Sequence, residues 1–267
     1  MKNNNRRIGI FDSGLGGLTV LKQLQQKMPQ ERFIYFGDTA HVPYGNKSVE
    51  TITKHCIKII NFLNSENVKL IIVACNTASS SALSFIKSAT QTPMIDVITP
   101  AIYDISHLPN IKNIGIIGTD TTIKSNEYQK KINKINKNIN VYSQACPLLV
   151  PIIEEGLFKH NIAQLTAEMY LKKMKNKIDA LVLGCTHYPI MIQTIKKVIN
   201  KNIYILDSAL STANYVNRYM EENKLMNNSK NNSSSNLYYV SDKVVRFNEI
   251  TNLFLQQNIK NIQKIKL

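Results

Sequence analysis

Two stretches of this chain are built to one plan, and any fold has to accommodate both. Ile71-Ile72-Val73-Ala74-Cys75-Asn76-Thr77-Ala78-Ser79 and Ala180-Leu181-Val182-Leu183-Gly184-Cys185-Thr186-His187-Tyr188-Pro189 each run from aliphatic residues into a cysteine, then into residues that start helices. Three or four consecutive β-formers read as a strand covered on both faces, and Asn, Thr, Ser or Pro just beyond reads as a helix N-terminus. Each cysteine is therefore expected at the carboxyl end of a buried strand, beside backbone N–H groups. Open α/β sheets place their ligands there.

The segments upstream match as well. Ile8-Gly9-Ile10-Phe11-Asp12-Ser13-Gly14 precedes the first cysteine and Ile114-Gly115-Ile116-Ile117-Gly118-Thr119-Asp120 the second, with 66 residues from Gly9 to Cys75 and 70 from Gly115 to Cys185. A repeat of that length implies duplicated domains rather than a solenoid. The expected fold is α/β: two similar, pseudo-symmetric domains with mainly parallel central sheets and a cleft between them. Thr99-Pro100 and Asp207-Ser208 mark the crossings, so the first domain is expected over 1–98 and 207–267 and the second over 99–206.

With 267 residues, 43% of them apolar, the chain has ample material for such cores. Its net charge of +15 raises a nucleic-acid partner. Against this, the arginines are only Arg6, Arg7, Arg32, Arg218 and Arg246, and lysine travels with Asn and Ile, as an AT-biased genome would produce. Solvated lysine faces are the expectation. No apolar leader precedes Ile8 and no run approaches a membrane span, so a cytoplasmic protein with four reduced thiols is expected.

The loop Asp12-Ser13-Gly14-Leu15-Gly16-Gly17 should open a helix ending before Pro29, with room for a carboxylate or phosphate at the backbone. A dinucleotide fingerprint would need glycine where Thr19 stands. Asp38 to Gly45 can offer backbone donors to a ligand, or be a plain turn with Tyr44 packed on the core. His55 and Cys56 are helix neighbours that diverge, and no CxxC or HxxxH occurs, so no metal site is expected. Cys56 and Cys146 read as core packing. Further helices are expected over 48–64, from Cys75 to about Ser88, through Lys130–Asn140 with Ile132, Ile135 and Ile139 on one stripe, and from Cys185 to about Asn200. Residues 226–236, rich in Asn and Ser, should form a mobile loop; Phe247, Ile250, Phe254 and Ile259 keep helical spacing and should return the chain to the first domain.

Acyl chemistry employs one cysteine with one base and leaves the matching cysteine without a role. Inverting a stereocentre employs both, one as thiolate removing a proton and one as thiol returning it on the opposite face. Helix starts after Cys75 and Cys185 should favour the thiolate, while Asp12 and His187 adjust the local proton balance. Glu154 either points into the cleft or simply begins a helix. The surrounding hydroxyls and amides suit a small, carboxylate-bearing substrate.

These motifs, Gly9 to Gly17, Asp38 to Gly45, Ala74 to Ser79 and Gly184 to Pro189, resemble in order those of the cofactor-independent glutamate racemases of the aspartate/glutamate racemase superfamily. The resemblance implies interconversion of L- and D-glutamate without a cofactor, supplying D-glutamate for peptidoglycan. It implies Cys75 as the base or acid on the D face, supported by Asp12, and Cys185 on the L face, supported by His187. Substrate contacts implied are Asp12, Ser13, Tyr44, Gly45, Asn76, Thr77, Thr186 and His187, with Thr119, Thr122 and Glu154 as secondary candidates. A homodimer is implied too. An aspartate racemase, one methylene away in substrate, is the nearest alternative, worth only about 1–3 kcal/mol of discrimination. A non-catalytic relative that binds DNA gyrase or nucleic acid is another.

Overall fold

The computed structural model describes residues 5–227, 236–242, 244–255, 259 and 261–267. Among these, two all-parallel sheets carry the architecture. The first contains β1 (Ile8–Asp12), β2 (Phe33–Gly37), β3 (Leu70–Val73) and β4 (Met94–Asp96), and the second β5 (Asn113–Gly118), β6 (Asn140–Ala145), β7 (Ala180–Gly184) and β8 (Tyr204–Asp207). Two late strands, β9 (Leu237–Val240) and β10 (Ile262–Lys264), join the first sheet outside β2. The strand orders are β10-β9-β2-β1-β3-β4 and β6-β5-β7-β8, so the four strands of each repeat unit lie in one common order.

The duplication holds residue by residue. Gly9 pairs with Ile71 four residues before Cys75, and Gly115 pairs with Leu181 four residues before Cys185. Both cysteines thus leave the sheet from equivalent strands beside the point where the strand order reverses, the ligand position of doubly wound sheets. Strands β1, β3 and β7 are buried along their whole length, as continuous aliphatic runs predict.

One apolar core runs through both halves, joining Ile10 and Leu21 of the first to Leu181 and Tyr188 of the second. The helix Ser208–Glu222 helps to weld them. Its N-terminus is capped by Asp207, whose carboxylate accepts from Ala209 N–H at 2.8 Å. Ala209, Ala213, Val216 and Met220 form its buried stripe and pack it against the helix Leu18–Lys27, the two alanines allowing close approach. Behind the first sheet, Lys69 meets Glu31 at 2.7 Å with both side chains fully buried, and Lys69 also donates to the Leu225 carbonyl at 2.7 Å. Burial draws the Lys69 ammonium's pKa down, against the opposing pull of Glu31.

Several expected elements differ. The helix after Cys75 is broken into Asn76–Ser81 and Leu83–Ile86, followed by a 3-10 turn over Lys87–Ala89. After Cys185 a 3-10 segment, Tyr188–Met191, precedes the short helix Ile192–Val198. Thr99 and Pro100, expected at the crossing, lie in the first turn of the helix Ile98–Ser106, where a proline costs no hydrogen bond. The Lys130–Asn140 helix stops at Ile135, so Ile132 is buried, Ile135 half exposed, and Ile139 reaches the core from the loop. The C-terminal helix is Val244–Leu255, with Ile259 buried beyond its end; the side chain of Phe254 and most of the 226–236 loop lie outside the described residues. Strands β9 and β10 were not expected at all. They pair at a sheet edge, where packing from neighbours outweighs weak local signals.

Candidate active site

The carboxyl ends of β1 and β3 from one half, and of β5 and β7 from the other, meet around a cavity of about 450 Å³. Cys75 and Cys185 both line it. Ser13, Tyr44, Gly45, Asn76, Thr77 and Thr119 contribute to its wall, as do Thr186, His187 and Glu154. Asp12 and Thr122 stand behind that wall. Asp12 is buried with Oδ2 accepting from Gly14 N–H at 2.9 Å, and Thr122 reaches the cavity only through Thr119, hydroxyl to hydroxyl at 2.9 Å.

Glycine makes the closure geometrically feasible. A Cβ placed on Gly16 would overlap Thr186 Oγ1 and the His187 imidazole, so the first half's glycine loop lies directly against the second half's cysteine turn. Thr19, the residue that spoils a dinucleotide fingerprint, donates its hydroxyl to the Thr186 carbonyl at 2.8 Å and so ties the two halves together. Other bonds cross the cleft: Thr77 with Thr119 between hydroxyls at 2.9 Å, Thr121 Oγ1 to the Gly45 carbonyl at 2.8 Å, and Tyr128 Oη to Asn76 Oδ1 at 2.7 Å.

Tyr44 is packed on the core and its loop also lines the cavity. Its ring is buried and its hydroxyl donates to Asp38 Oδ2 at 2.6 Å, while the loop that carries it lines the cavity. Asp38 Oδ1 in turn accepts from Ser241 Oγ at 2.8 Å and meets His41 Nδ1 at 2.8 Å, so the returning C-terminal segment buttresses the loop. Ser241 could not be anticipated, because its role depends on where β9 docks. Among the described residues, Asp38, His41 and His55 cluster closely enough to hold an ion, although no sequence spacing announces it. Cys146, expected to be inert core packing, is buried but also lines the cavity beside Pro147, Val150 and Pro151. Its thiol is pushed up by burial and then by Cys185, which keeps it a thiol.

The two cysteine environments differ in charge. Cys75 caps the helix Asn76–Ser81, its sulfur accepting from Ala78 N–H at 3.5 Å and donating to Ser13 Oγ at 3.5 Å. The expected bias toward thiolate is overturned there. Burial, and then the negative charge of Asp12, raise the Cys75 pKa to about 12, outweighing the N–H groups and Ser13. Asp12 is itself raised, by burial first, against the counter-pull of His187 and of the Gly14, Gly17 and Ser13 N–H groups.

Beside Cys185 the ionisable neighbour is a histidine. His187 Nδ1 lies 3.8 Å from the sulfur and its Nε2 lies 3.1 Å from Glu154 Oε1. Burial pulls the imidazole down, but hydrogen bonds to Cys185 and Glu154 win and hold its pKa at about 10. At neutral pH an imidazolium therefore faces one sulfur, while the acidic side chain of Asp12 lies behind the other. Glu154 comes from the end of the helix Leu149–Glu154 and does turn into the cleft.

The cavity can hold a small polar molecule between two thiols carried by opposing sheets. Residues 17–216 match the family model for Asp/Glu/Hydantoin racemase. A glutamate racemase of Geobacter metallireducens is 41% identical over 263 residues, covering 98% of this chain and 97% of that one. The structure of a glutamate racemase from Francisella tularensis, in complex with D-glutamate, superposes with a TM-score of 0.91 at 40% identity, covering 98% of each chain. An aspartate racemase from Picrophilus torridus shares the fold more distantly, with a TM-score of 0.63 at 20% identity over 80% of this chain and 94% of that one. Twin strand ends, a shared cleft and similarity along almost the whole length converge: the chain belongs to the Asp/Glu/Hydantoin racemase family.

Proposed function

We propose that this protein is a glutamate racemase that interconverts L- and D-glutamate with two thiols and no cofactor, supplying D-glutamate for peptidoglycan. The observation that carries the mechanism is the opening of Cys75 and Cys185 onto one cavity from equivalent strands of two opposed sheets. Glutamate rather than aspartate is favoured by the full-length similarity to glutamate racemases, whereas the aspartate enzyme shares only the fold.

In the L-to-D direction, Cys185 as thiolate takes the Cα proton from one face of the bound amino acid. The electron pair left on Cα is delocalised into the carboxylate, and Cys75 as thiol returns a proton from the opposite face. Turnover leaves Cys75 as thiolate and Cys185 as thiol, the state required for the D-to-L direction. The imidazolium of His187 stabilises negative charge on the Cys185 sulfur. Ser13 and the Ala78 N–H do the same for Cys75, against its burial and Asp12. Asn76, Thr77, Thr119 and Thr186, with the Tyr44-Gly45 backbone, supply donors for the carboxylates.

On this reading residues 1–98 and 207–267 form one domain and 99–206 the other, and the protein acts in the cytoplasm as a homodimer. Incubating purified protein with L-glutamate in D2O, with a chelator and no added cofactor, should yield D-glutamate labelled at Cα. Racemisation without solvent label, or turnover of aspartate in preference to glutamate, would overturn the proposal.

A further inference from the structure

We propose that Tyr128 is a positioning residue for racemisation: its hydroxyl, donating to Asn76 Oδ1 at 2.7 Å across the cleft, orients the Asn76 amide so that Nδ2 serves as a donor to a substrate carboxylate. This rests on the racemase reading and extends it to a residue outside the cavity wall.

Asn76 is 2% exposed and lines the cavity. An amide brings one acceptor oxygen and a two-hydrogen donor, and a buried group of either kind wants a partner. Among the described residues the oxygen has one and Nδ2 has none. A carboxylate can accept a hydrogen bond and cannot donate one, so an amide turned the other way would meet it with oxygen against oxygen. The Tyr128 hydroxyl settles the choice by holding the oxygen.

Tyr128 is itself rigidly held. It follows Asn126, whose left-handed backbone (φ 54°) turns the chain into the helix Glu127–Ile135 and sends Tyr128 inward. The ring is buried among Ile114, Ile116, Ile132 and Val182. Burial also keeps the phenol neutral, so it remains a donor. The pseudo-symmetry is broken at this position, because Thr186 follows Cys185 where Asn76 follows Cys75. The device is confined to one side of the cleft.

The test compares Tyr128→Phe, Asn76→Ala and the double variant in steady-state racemisation from each enantiomer, with thermal unfolding alongside. Tyr128→Phe should raise KM for both enantiomers about tenfold, as expected for a hydrogen bond to a charged group, with kcat changed less than about threefold. Asn76→Ala should raise KM at least as much, and the double variant should match Asn76→Ala. Asn76→Asp keeps the acceptor for Tyr128 and loses the donor, so it should bind substrate as poorly as Asn76→Ala.

Wild-type KM in either Tyr128→Phe or Asn76→Asp would overturn the positioning role while leaving racemase activity intact. A full additional loss from Tyr128→Phe in the Asn76→Ala background would overturn it too, since that loss would be structural. Absence of racemisation in the wild-type protein would instead overturn the functional reading beneath it.

Discussion

The two cysteine turns share a backbone plan and differ in almost everything around the sulfur. Cys75 caps a helix and faces Ser13, with Asp12 behind it; Cys185 opens a 3-10 turn and faces His187, which Glu154 holds. Duplication supplied two sulfurs at equivalent sheet positions, and divergence gave them opposite electrostatic neighbours. A two-base racemase starts each turnover with one group as thiolate and the other as thiol, and unlike neighbours bias which sulfur holds the proton.

The hardest way to break the comparison is to remove one sulfur. Cys75→Ser and Cys185→Ser should each lower racemisation by about 10² to 10⁴-fold, the range of a general acid or base. Near-normal rates from either variant would show that one group suffices. Next in size is Gly16→Ala, which drives a methyl group into Thr186 and His187 and should force the two turns apart. Misplacement on that scale should cost about 10²-fold in kcat with the fold retained by circular dichroism. Unchanged kcat would mean that the glycine contact does not set the distance between the halves.

Smaller and more diagnostic are the charge variants, measured as pH profiles of kcat in each direction. Asp12→Asn removes the charge that raises Cys75, so the limb that depends on Cys75 thiolate, in the D-to-L direction, should move to lower pH. His187→Asn removes the cation beside Cys185 and should lower kcat in the L-to-D direction. An unmoved D-to-L limb in Asp12→Asn, or an unchanged L-to-D kcat in His187→Asn, would refute the assigned asymmetry.

The smallest effect is expected from Glu154→Gln, read as stability. His187 has its pKa raised from 6.5 to about 10 on folding, so its stabilisation is complete below about pH 6.5 and is lost as pH rises through about 10. Without the Glu154 carboxylate that pKa falls. The thermal stability gap between wild type and variant should therefore be about 1 kcal/mol or less, greatest on the acid side of this window, and closed above about pH 10. A gap that widens with pH would contradict the assignment.

Much of this was legible from the residues in order. The aliphatic runs before Cys75 and Cys185 announced buried parallel strands, and their matched glycine partners announced the duplication, because period and composition are local properties. Helix lengths were less legible: the segments after both cysteines break at Ala82 and at Met191, well past the last residues that line the cavity. Thr19, Tyr128, Ser241 and Cys146 gave no local sign of their placement, since each depends on a partner far away in sequence.

The sequence alone determined two strand-borne cysteines, the hydroxyl and amide residues that follow them, and the pairing of each unit with its own upstream strand. Such features follow from side-chain chemistry and hydrogen-bonding period within a few residues. Only the tertiary structure decided that the two sulfurs share one cavity, that Asp12 stands behind Cys75 while Glu154 reaches His187, and that burial overrides a helix start at Cys75. Burial and charge separation belong to the packed arrangement of both halves, and no stretch of chain carries them by itself.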